Sequence, residues 1–343
     1  MTLDAVVRIE LPIIQAPMAA VQDSALAVAV CHAGGLGSLP CAMRTPEAVR
    51  REIAAIRAQT DRPFNVNFFC HRIPAADDAR EQRWRAKLAP YYQELGIAMS
   101  SGTAGAPRLP FDERMADVLV DLLPSIVSFH FGLPSSRLVA RLKIRGIKIV
   151  SSATTVDEAR WLEAHGVDAI IAQGLEAGGH RGHFLSPDLT RQMGTFALLP
   201  QVVRAVSVPV IAAGGIADAA GVRAALALGA SAVQIGTAYL LSTEATTTAI
   251  HRAALASDGS CHTALTNLFT GRPARGIVNR LMRELGPVHS DVPEFPLAAT
   301  ALAPLRSAAE AQGRDDFSPM WAGQNTRGCQ TAGAAEVTRH LAG

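Results

Sequence analysis

The sequence is poor in the features that mark the simpler classes of protein. Its five cysteines, Cys31, Cys41, Cys70, Cys261 and Cys329, are odd in number, scattered and without a CxxC pair, so neither a disulfide framework nor a structural zinc site is expected. Aromatic residues make up only 5%, and Lys+Arg total 32 against 30 acids, a formal net charge of +2. No basic run interleaved with aromatics exists, which excludes a nucleic-acid partner. Long apolar runs are also missing. The most apolar region, 221–242, is interrupted by Arg223, Gly229, Ser231, Gln234 and Gly236 and reads as helix, turn and buried strand, not as a membrane span. The opening "MTLDAVVRIELPII" carries Asp4 and Glu10 and lacks the basic-then-apolar order of a secretory signal. A cytoplasmic location is expected. There is no GxGxxG after the first strand and no GxSxG, which disfavours a Rossmann dinucleotide site and a nucleophile elbow. His180 and His183 stand three apart with no cysteine or acid at a ligand spacing, so no metal site is expected.

What is present is a rhythm. Short β-rich apolar runs recur as "PIIQAPM" (12–18), "LGSLP" (36–40), "PFNVNFF" (63–69), "IVSFHFG" (126–132), "KIVSSAT" (148–154), "AIIAQG" (169–174), "PVIAAGG" (209–215) and "AVQIGTAYL" (232–240). Helix-like segments lie between most of them. One starts at Asp23, another at Thr45 with Pro46 and Glu47 behind it, and "TVDEARWLEAHG" and "DAAGVRAALALG" close on glycine, the expected start and stop signals. Runs apolar on both faces suit a parallel sheet covered by helices. Eight alternations predict an α/β fold, a (β/α)8 TIM barrel, with a doubly wound sheet as the alternative. The barrel is expected over residues 1–244 with an insertion at about 71–125. Residues 245–317 are expected to form a small, mainly helical substrate or lid domain, and 318–343 to return to the barrel rim.

In such a barrel the chemistry sits at the C-terminal strand ends. The sixth run opens into "AQGLEAGGHRGHF" (172–184), one acid, two histidines and an arginine among four glycines. Glycine lets the main chain take positive φ and approach a ligand closely. Pro17 denies the first strand a regular ladder bond there and leaves Gln15–Met18 at the mouth. Asn67 is placed either to contact a planar heterocycle or to satisfy a turn. Ser128 and His130 share one face of the fourth strand, with Phe129 and Phe131 on the other; His130 is either a substrate contact or structural. Glu176, four residues before His180, reads as a solvated loop acid. Gly214 and Gly215, directly before a helix, and Gly236 and Thr237, after the next strand, offer main-chain N–H groups as an anion cradle. A phosphorylated cofactor or substrate is implied.

The runs "PIIQAPMA", "FNVNFF", "SFHFGLP", "GLEAGGHRG", "PVIAAGGIAD", "AVQIGTAYL" and "WAGQ" occur in the order found in class I nitronate monooxygenases, formerly 2-nitropropane dioxygenases. The chain resembles that family from about residue 9 to 326. The resemblance implies FMN, with Gly215 and the run Gln234, Ile235, Gly236 and Thr237 at its phosphate. Asn67, Gln173 and Gly178, with Gly179 and Gly214 beside them, would line the ribityl chain or ring, and Ala16, Pro17 and Met18 would pack along the isoalloxazine. His180 matches the active-site histidine. The implied reaction is oxidation of an alkyl nitronate, propionate 3-nitronate among the candidates, by dioxygen through a flavin semiquinone, to nitrite and a carbonyl compound. The partners expected are a small-molecule nitronate and dioxygen; self-association of the chain is compatible with the sequence. His180 would hydrogen-bond the nitro oxygens and serve as base toward neutral nitroalkanes. The pattern departs from its relatives in one respect. Tyrosines and a lysine often surround the substrate, whereas only Tyr91, Tyr92 and Tyr239 occur here, with Arg306 near the lysine's place. Arg272 and Arg275 fall on the expected lid, either as anion partners or as packing and surface charge. An FMN-dependent enoyl-acyl carrier protein reductase and an NADH:quinone reductase share the fold and the cradle. A non-catalytic phosphate-ligand binding protein is the reading from another class.

Overall fold

The computed structural model describes residues 3–99 and 108–343. Met1, Thr2 and residues 100–107, the last inside the expected insertion, lie outside the described residues. Eleven strands occur among them: β1 (Ile13–Gln15), β2 (Gly37–Pro40), β3 (Phe64–Phe69), β4 (Ile126–His130), β5 (Lys148–Ala153), β6 (Ala169–Gln173), β7 (Gly179–His180), β8 (Val210–Ala213), β9 (Ala232–Ile235), β10 (Thr263–Thr266) and β11 (Ala274–Ile277). Eight form one parallel sheet in the order β1-β9-β8-β6-β5-β4-β3-β2. The ring closes through a bridge between Ile14 and Leu36, with Leu36 N–H donating to Ile13 O and Gln15 N–H to Leu36 O, both at 2.9 Å. This is the expected barrel. Two strands are shorter than their apolar runs. Pro17 brings no N–H to extend β1, and after Gly236 the chain turns into a 3-10 turn at Thr237–Tyr239.

Strand alternation separates two layers of core. Ile14, Leu36, Ile126, Val150, Ile171, Ile211 and Ala232 pack inside the barrel, closed by Leu3 and Val7 of the N-terminal turn. Ile13, Leu39, Val66, Phe68, Val127, Phe129, Ile149, Ile170, Val210, Val233 and Ile235 face the helices. The covering helices are α1 (Ser24–His32), α2 (Pro46–Arg57), then, after α3 (Asp78–Glu94), α4 (Glu113–Leu122), α5 (Ser136–Ile144), α6 (Val156–Ala164), α7 (Thr195–Ala205) and α8 (Ala219–Ala227). The Asp23, Thr45, Thr155 and Asp218 side chains accept main-chain N–H groups at the starts of α1, α2, α6 and α8, each such cap being worth about 1 kcal/mol.

The chain then leaves the barrel through α9 (Ala249–Ala256), β10, β11, α10 (Arg280–Leu285) and α11 (Ala298–Glu310), and returns as α12 (Ala334–Ala342). Ala334, Val337 and Leu341 of α12 enter the outer barrel core, and the helix lies between α8 and α1. It is the eighth covering helix, delivered about ninety residues late. The intervening stretch is not uniformly helical: β10, β11 and β7 form an antiparallel three-stranded sheet. A second apolar core joins α3 to this stretch, with Trp84, Leu88 and Tyr91 against Leu268, Leu281, Leu302, Leu305 and Phe317.

Candidate active site

The loop after β6 is held by two buried charges of opposite sign. Arg181 is fully buried. Its guanidinium donates to Gly174 O at 2.6 Å, Gln173 O at 2.8 Å and Gln192 Oε1 at 2.7 Å. No carboxylate among the described residues lies at ion-pair distance from it, so carbonyl dipoles carry the compensation that a buried cation requires. Burial and the neighbouring Arg275 pull it down to about 9. At the other end the Glu158 carboxylate accepts from Thr154 N (2.7 Å), Thr154 Oγ1 (2.8 Å), Phe184 N (2.6 Å) and Leu185 N (3.2 Å). Between these anchors the chain is a strand, not a loose turn. Gly179 and His180 pair with Arg275 and Ala274 of β11, because Gly179, at φ +71°, turns the chain onto that edge.

Two side chains fix the main chain around His180. Gln173 accepts from Gly182 N at 2.8 Å and donates to His180 O at 3.0 Å. His130 Nε2 donates to the same carbonyl at 3.1 Å, while its Nδ1 meets Ser152 Oγ at 2.5 Å. Burial pushes His130 down to about 3, so it stays neutral and keeps that donor. The His180 ring packs near Phe295 (5.3 Å between centroids), Trp321 (5.5 Å), Phe131 (6.0 Å) and Phe69 (6.2 Å). Its Nε2 meets Thr270 Oγ1 at 2.9 Å, and the Thr270 hydroxyl can pass a hydrogen bond on to Arg272 O at 3.4 Å. That chain assigns the proton to Nε2 and leaves the Nδ1 lone pair without a partner among the described residues. Burial, then the Arg108 guanidinium and the nearby His130, Arg272 and His71, which oppose a second positive charge among them, hold His180 well below the usual histidine range. Arg272 lies 4.0 Å above the Phe131 ring and donates to His183 O.

The expected cradle residues converge at one strand-end cluster. A Cβ on Gly178 would stand 2.5 Å from Gly323 N, one on Gly215 3.3 Å from Glu176 Cβ, and one on Gly236 3.3 Å from Ala16 Cβ and 3.5 Å from Met18 Sδ. Gly323 N donates to Thr237 Oγ1 at 3.0 Å, and Asn325 reaches Gly215 O at 3.2 Å. Gly214 and Gly215 have φ of +120° and +73°. Among the described residues no acceptor meets the main-chain N–H of Gly215, Gly236 or Thr237. These free donors, packed where side chains would collide, fit an anion with several acceptor oxygens such as an FMN phosphate.

Other expected residues are placed as follows. Asn67 and Ser128 are buried and joined, Asn67 Nδ2 to Ser128 Oγ at 2.9 Å. Ile235 sends its side chain to the outer core and its carbonyl accepts from Ala16 N at 2.8 Å, and Gln234 shares a small cavity inside the barrel with Asn65 and Ser128. Arg306 lies on α11 and donates to Glu310 at 2.7 Å, and Arg275 braces Leu175 O at 2.9 Å. Two readings are corrected. Phe131 does not share an outward face with Phe129: its φ of +71° breaks the alternation and swings the ring into the His180 cluster. Glu176 is no solvated acid, since its carboxylate accepts from Thr195 N (2.8 Å) and Thr195 Oγ1 (2.9 Å) at the start of α7, a helix with no side-chain cap of its own. No tyrosine joins the cluster. Tyr91 and Tyr92 belong to the second core and Tyr239 is bonded to Thr338 at 2.9 Å.

Sequence reasoning missed Glu158, Arg108, His71 and Phe295, and counted Arg181 only as loop charge. Glu158 carries one signal: it is four residues before Leu162, on the buried stripe of α6. The others come together from segments distant in the chain.

The profile of the nitronate monooxygenase family matches residues 1–342. A nitronate monooxygenase of Paraburkholderia phytofirmans is 44% identical over 97% of this chain and 92% of its own length. Another from Pseudomonas aeruginosa is 44% identical over 97% of this chain and 95% of its own. The crystal structure of a nitroalkane oxidase from Streptomyces ansochromogenes superposes with a TM-score of 0.89 at 39% identity, covering 99% of this chain and 96% of that one. With the barrel, the glycine cradle and the histidine strand in place, the chain belongs to the nitronate monooxygenase family.

Proposed function

We propose that this protein uses FMN to oxidise alkyl nitronates with dioxygen, releasing nitrite and a carbonyl compound, and that it prefers the pre-formed nitronate to the neutral nitroalkane. Membership of the family gives the broader activity, oxidation of nitronates or nitroalkanes by a flavoenzyme. The observation that carries the finer reading is the charge around His180. The charged groups that act on its ring are Arg108 and Arg272, with no acid among them, and the neighbouring His71 and His130 are held neutral by burial. Such a pocket draws in an anion and opposes protonation of the imidazole, and both effects favour the nitronate.

The chain's own groups divide the work. Gly215, Gly236 and Thr237 would present N–H groups to the phosphate, with Gln234, Ile235 and Gly214 forming the turns that carry them. Asn67, Gln173 and Gly178 would line the ribityl chain and ring, with Gly179 turning the chain beside them, and Ala16, Pro17 and Met18 would pack against the ring plane. FMN, when bound, supplies the electron chemistry that the side chains lack. His180 orients the nitronate; with a neutral nitroalkane its Nδ1 lone pair takes the α-proton, at a cost set by the neighbouring cations. Phe131, Phe295 and Trp321 keep water from the reacting carbon. Residues 1–244 serve as the flavin-binding barrel, 245–317 as the cover over the site, and 318–343 as the return to the rim. Propionate 3-nitronate is a substrate of the right charge. The test is nitrite release from a pre-formed nitronate by the purified, FMN-loaded protein, measured beside NADH oxidation. Nitrite release without NADH is expected. NADH consumption with no nitrite would overturn the reading in favour of a reductase.

A further inference from the structure

Two polar side chains beside the His180 cluster belong to none of the networks above. His71, two residues past β3, is buried at 6% exposure, yet neither ring nitrogen finds a hydrogen-bond partner among the described residues. Arg108 makes no hydrogen bond or ion pair with any described side chain or carbonyl. Its Cζ stands 6.0 Å from the Phe295 ring centroid. The His71 ring lies against the same phenyl group at 4.8 Å, and His180 touches it at 5.3 Å. One phenyl ring thus carries an unpaired guanidinium, an unpartnered imidazole and the histidine of the site around it.

Leaving buried donors unsatisfied is costly, about 1–3 kcal/mol for a neutral group and more for a charged one. Arg181, Arg272 and Arg275 all find carbonyls nearby, whereas the partly exposed Arg108 finds none among the described residues. Burial holds His71 down to about 4. At neutral pH it is therefore uncharged and offers one N–H, next to a cation with two edges of N–H. A flat donor set of this kind matches a small planar oxyanion. Arg306 is already engaged by Glu310 and repels Arg108, which leaves Arg108 still short of a counter-charge.

The geometry points to a second anion site, formed by Arg108 and His71 around Phe295, which His180 also touches, that binds a planar oxyanion. This deepens the proposed function and rests on it for the identity of the occupant. Two sources share the chemistry: a carboxylate at the far end of a nitronate substrate, or the product nitrite held before release.

The experiment uses FMN-loaded protein and has two arms. The first measures kcat/KM for propionate 3-nitronate and for propyl-1-nitronate, which has the same carbon count without the carboxylate. The second titrates sodium nitrite calorimetrically and does not depend on turnover. Wild type is compared with Arg108→Gln, Arg108→Lys and His71→Phe, the last preserving ring volume without a nitrogen. If the carboxylate occupies the site, Arg108→Gln lowers the ratio of the two kcat/KM values by about 10- to 100-fold, as loss of a charge-assisted hydrogen bond predicts. Arg108→Lys recovers part of that ratio, and His71→Phe lowers it in the same sense. If nitrite is the occupant, its dissociation constant rises by a similar factor while the ratio stays put. The inference is overturned if neither the ratio nor nitrite binding moves more than about twofold in Arg108→Gln and His71→Phe proteins with wild-type flavin content. Wild-type protein that releases nitrite from neither nitronate contradicts the functional reading instead, and the calorimetric arm still decides whether the anion site exists.

Discussion

Gly178 and Gly179 are neighbours in the sequence, but alanine at each should act through a different physical cause. At Gly178 the new Cβ would stand 2.5 Å from Gly323 N, 2.6 Å from Ala322 C and 3.0 Å from Ala322 Cα. All three are main-chain atoms and none can swing away. The β6–β7 connection and the 321–324 segment must separate by about 1 Å to reach ordinary contact, and overpacking of this kind costs about 1–3 kcal/mol. The separation also stretches the bonds from Gly323 N to Thr237 Oγ1 (3.0 Å) and from Gln324 N to Glu176 O (2.9 Å), each worth about 1 kcal/mol. At Gly179 the Cβ enters open space, and the cost is only that of a φ of +71°, about 1–2 kcal/mol. Gly178→Ala should therefore raise the FMN dissociation constant by about 10- to 100-fold, because the damaged bonds belong to the cradle. Gly179→Ala should lose melting temperature and hold its flavin. Flavin fluorescence on titration gives the constants, and thermal unfolding of both variants gives the stability control. Wild-type FMN affinity in Gly178→Ala, with loss in Gly179→Ala instead, would refute the placement of the cradle between these two segments.

Further outcomes follow from the same structure. Gly215→Leu puts a branched side chain on a φ of +73° beside Glu176 Cβ at 3.3 Å; a folded variant should lose flavin on gel filtration, and full retention would place the phosphate elsewhere. His130→Phe removes the donor to His180 O and should lower nitronate turnover by about 5- to 30-fold, whereas His130→Gln, which restores an N–H at similar reach, should recover most of it; equal losses in the two would show that only ring volume matters. His71, His183 and His251 are buried neutral and held down to about 4, about 3 and about 4. A histidine kept neutral in the fold leaves stability intact above the unfolded value near 6.5. Below it each costs about 1.4 kcal/mol per pH unit until its own folded value is reached. The melting temperature should hold from about pH 8 to about pH 6.5 and fall steeply toward pH 4; a flat profile down to pH 4 would contradict their burial as neutral groups.

The barrel was legible because its signals are local. Apolar runs such as "KIVSSAT" and "PVIAAGG" report strands covered on both faces, and Asp23, Thr45, Thr155 and Asp218 report helix starts through bonds spanning two or three residues. The glycines of the cradle were legible for a similar reason, since Gly214 and Gly215 are demanded by positive φ at a strand end. What stayed hidden depends on contacts between distant segments. Nothing in "DAREQRWRAKL" announces that Trp84 and Leu88 pack against Leu302 and Leu305, and nothing near α12 shows that it completes a ring begun at α1. Two residues carry no periodicity, so β7 has the look of a loop in the sequence; its strand character comes wholly from Ala274 and Arg275 across the gap. Phe131 defied alternation because a positive φ in a residue other than glycine leaves no local mark. Arg181 resembled any polar loop residue until its burial among carbonyls became visible.

The most direct test of the account is turnover by His180→Ala with FMN bound. The ring sits at the strand edge, its main chain is fixed by Gln173 and His130, and its removal should leave those bonds and the cradle in place. The Nε2–H, turned from Thr270 Oγ1 to a nitronate oxygen, makes one charge-assisted hydrogen bond of about 1.5–3 kcal/mol, and its loss predicts a fall of about 10- to 150-fold in kcat/KM for a pre-formed nitronate. A neutral nitroalkane, which also needs the Nδ1 lone pair as base, should lose about a further 100-fold. Nitrite release at the wild-type rate from flavin-replete His180→Ala would contradict the assignment of this histidine, and with it the claim that the strand edge after β6 is where the nitronate reacts.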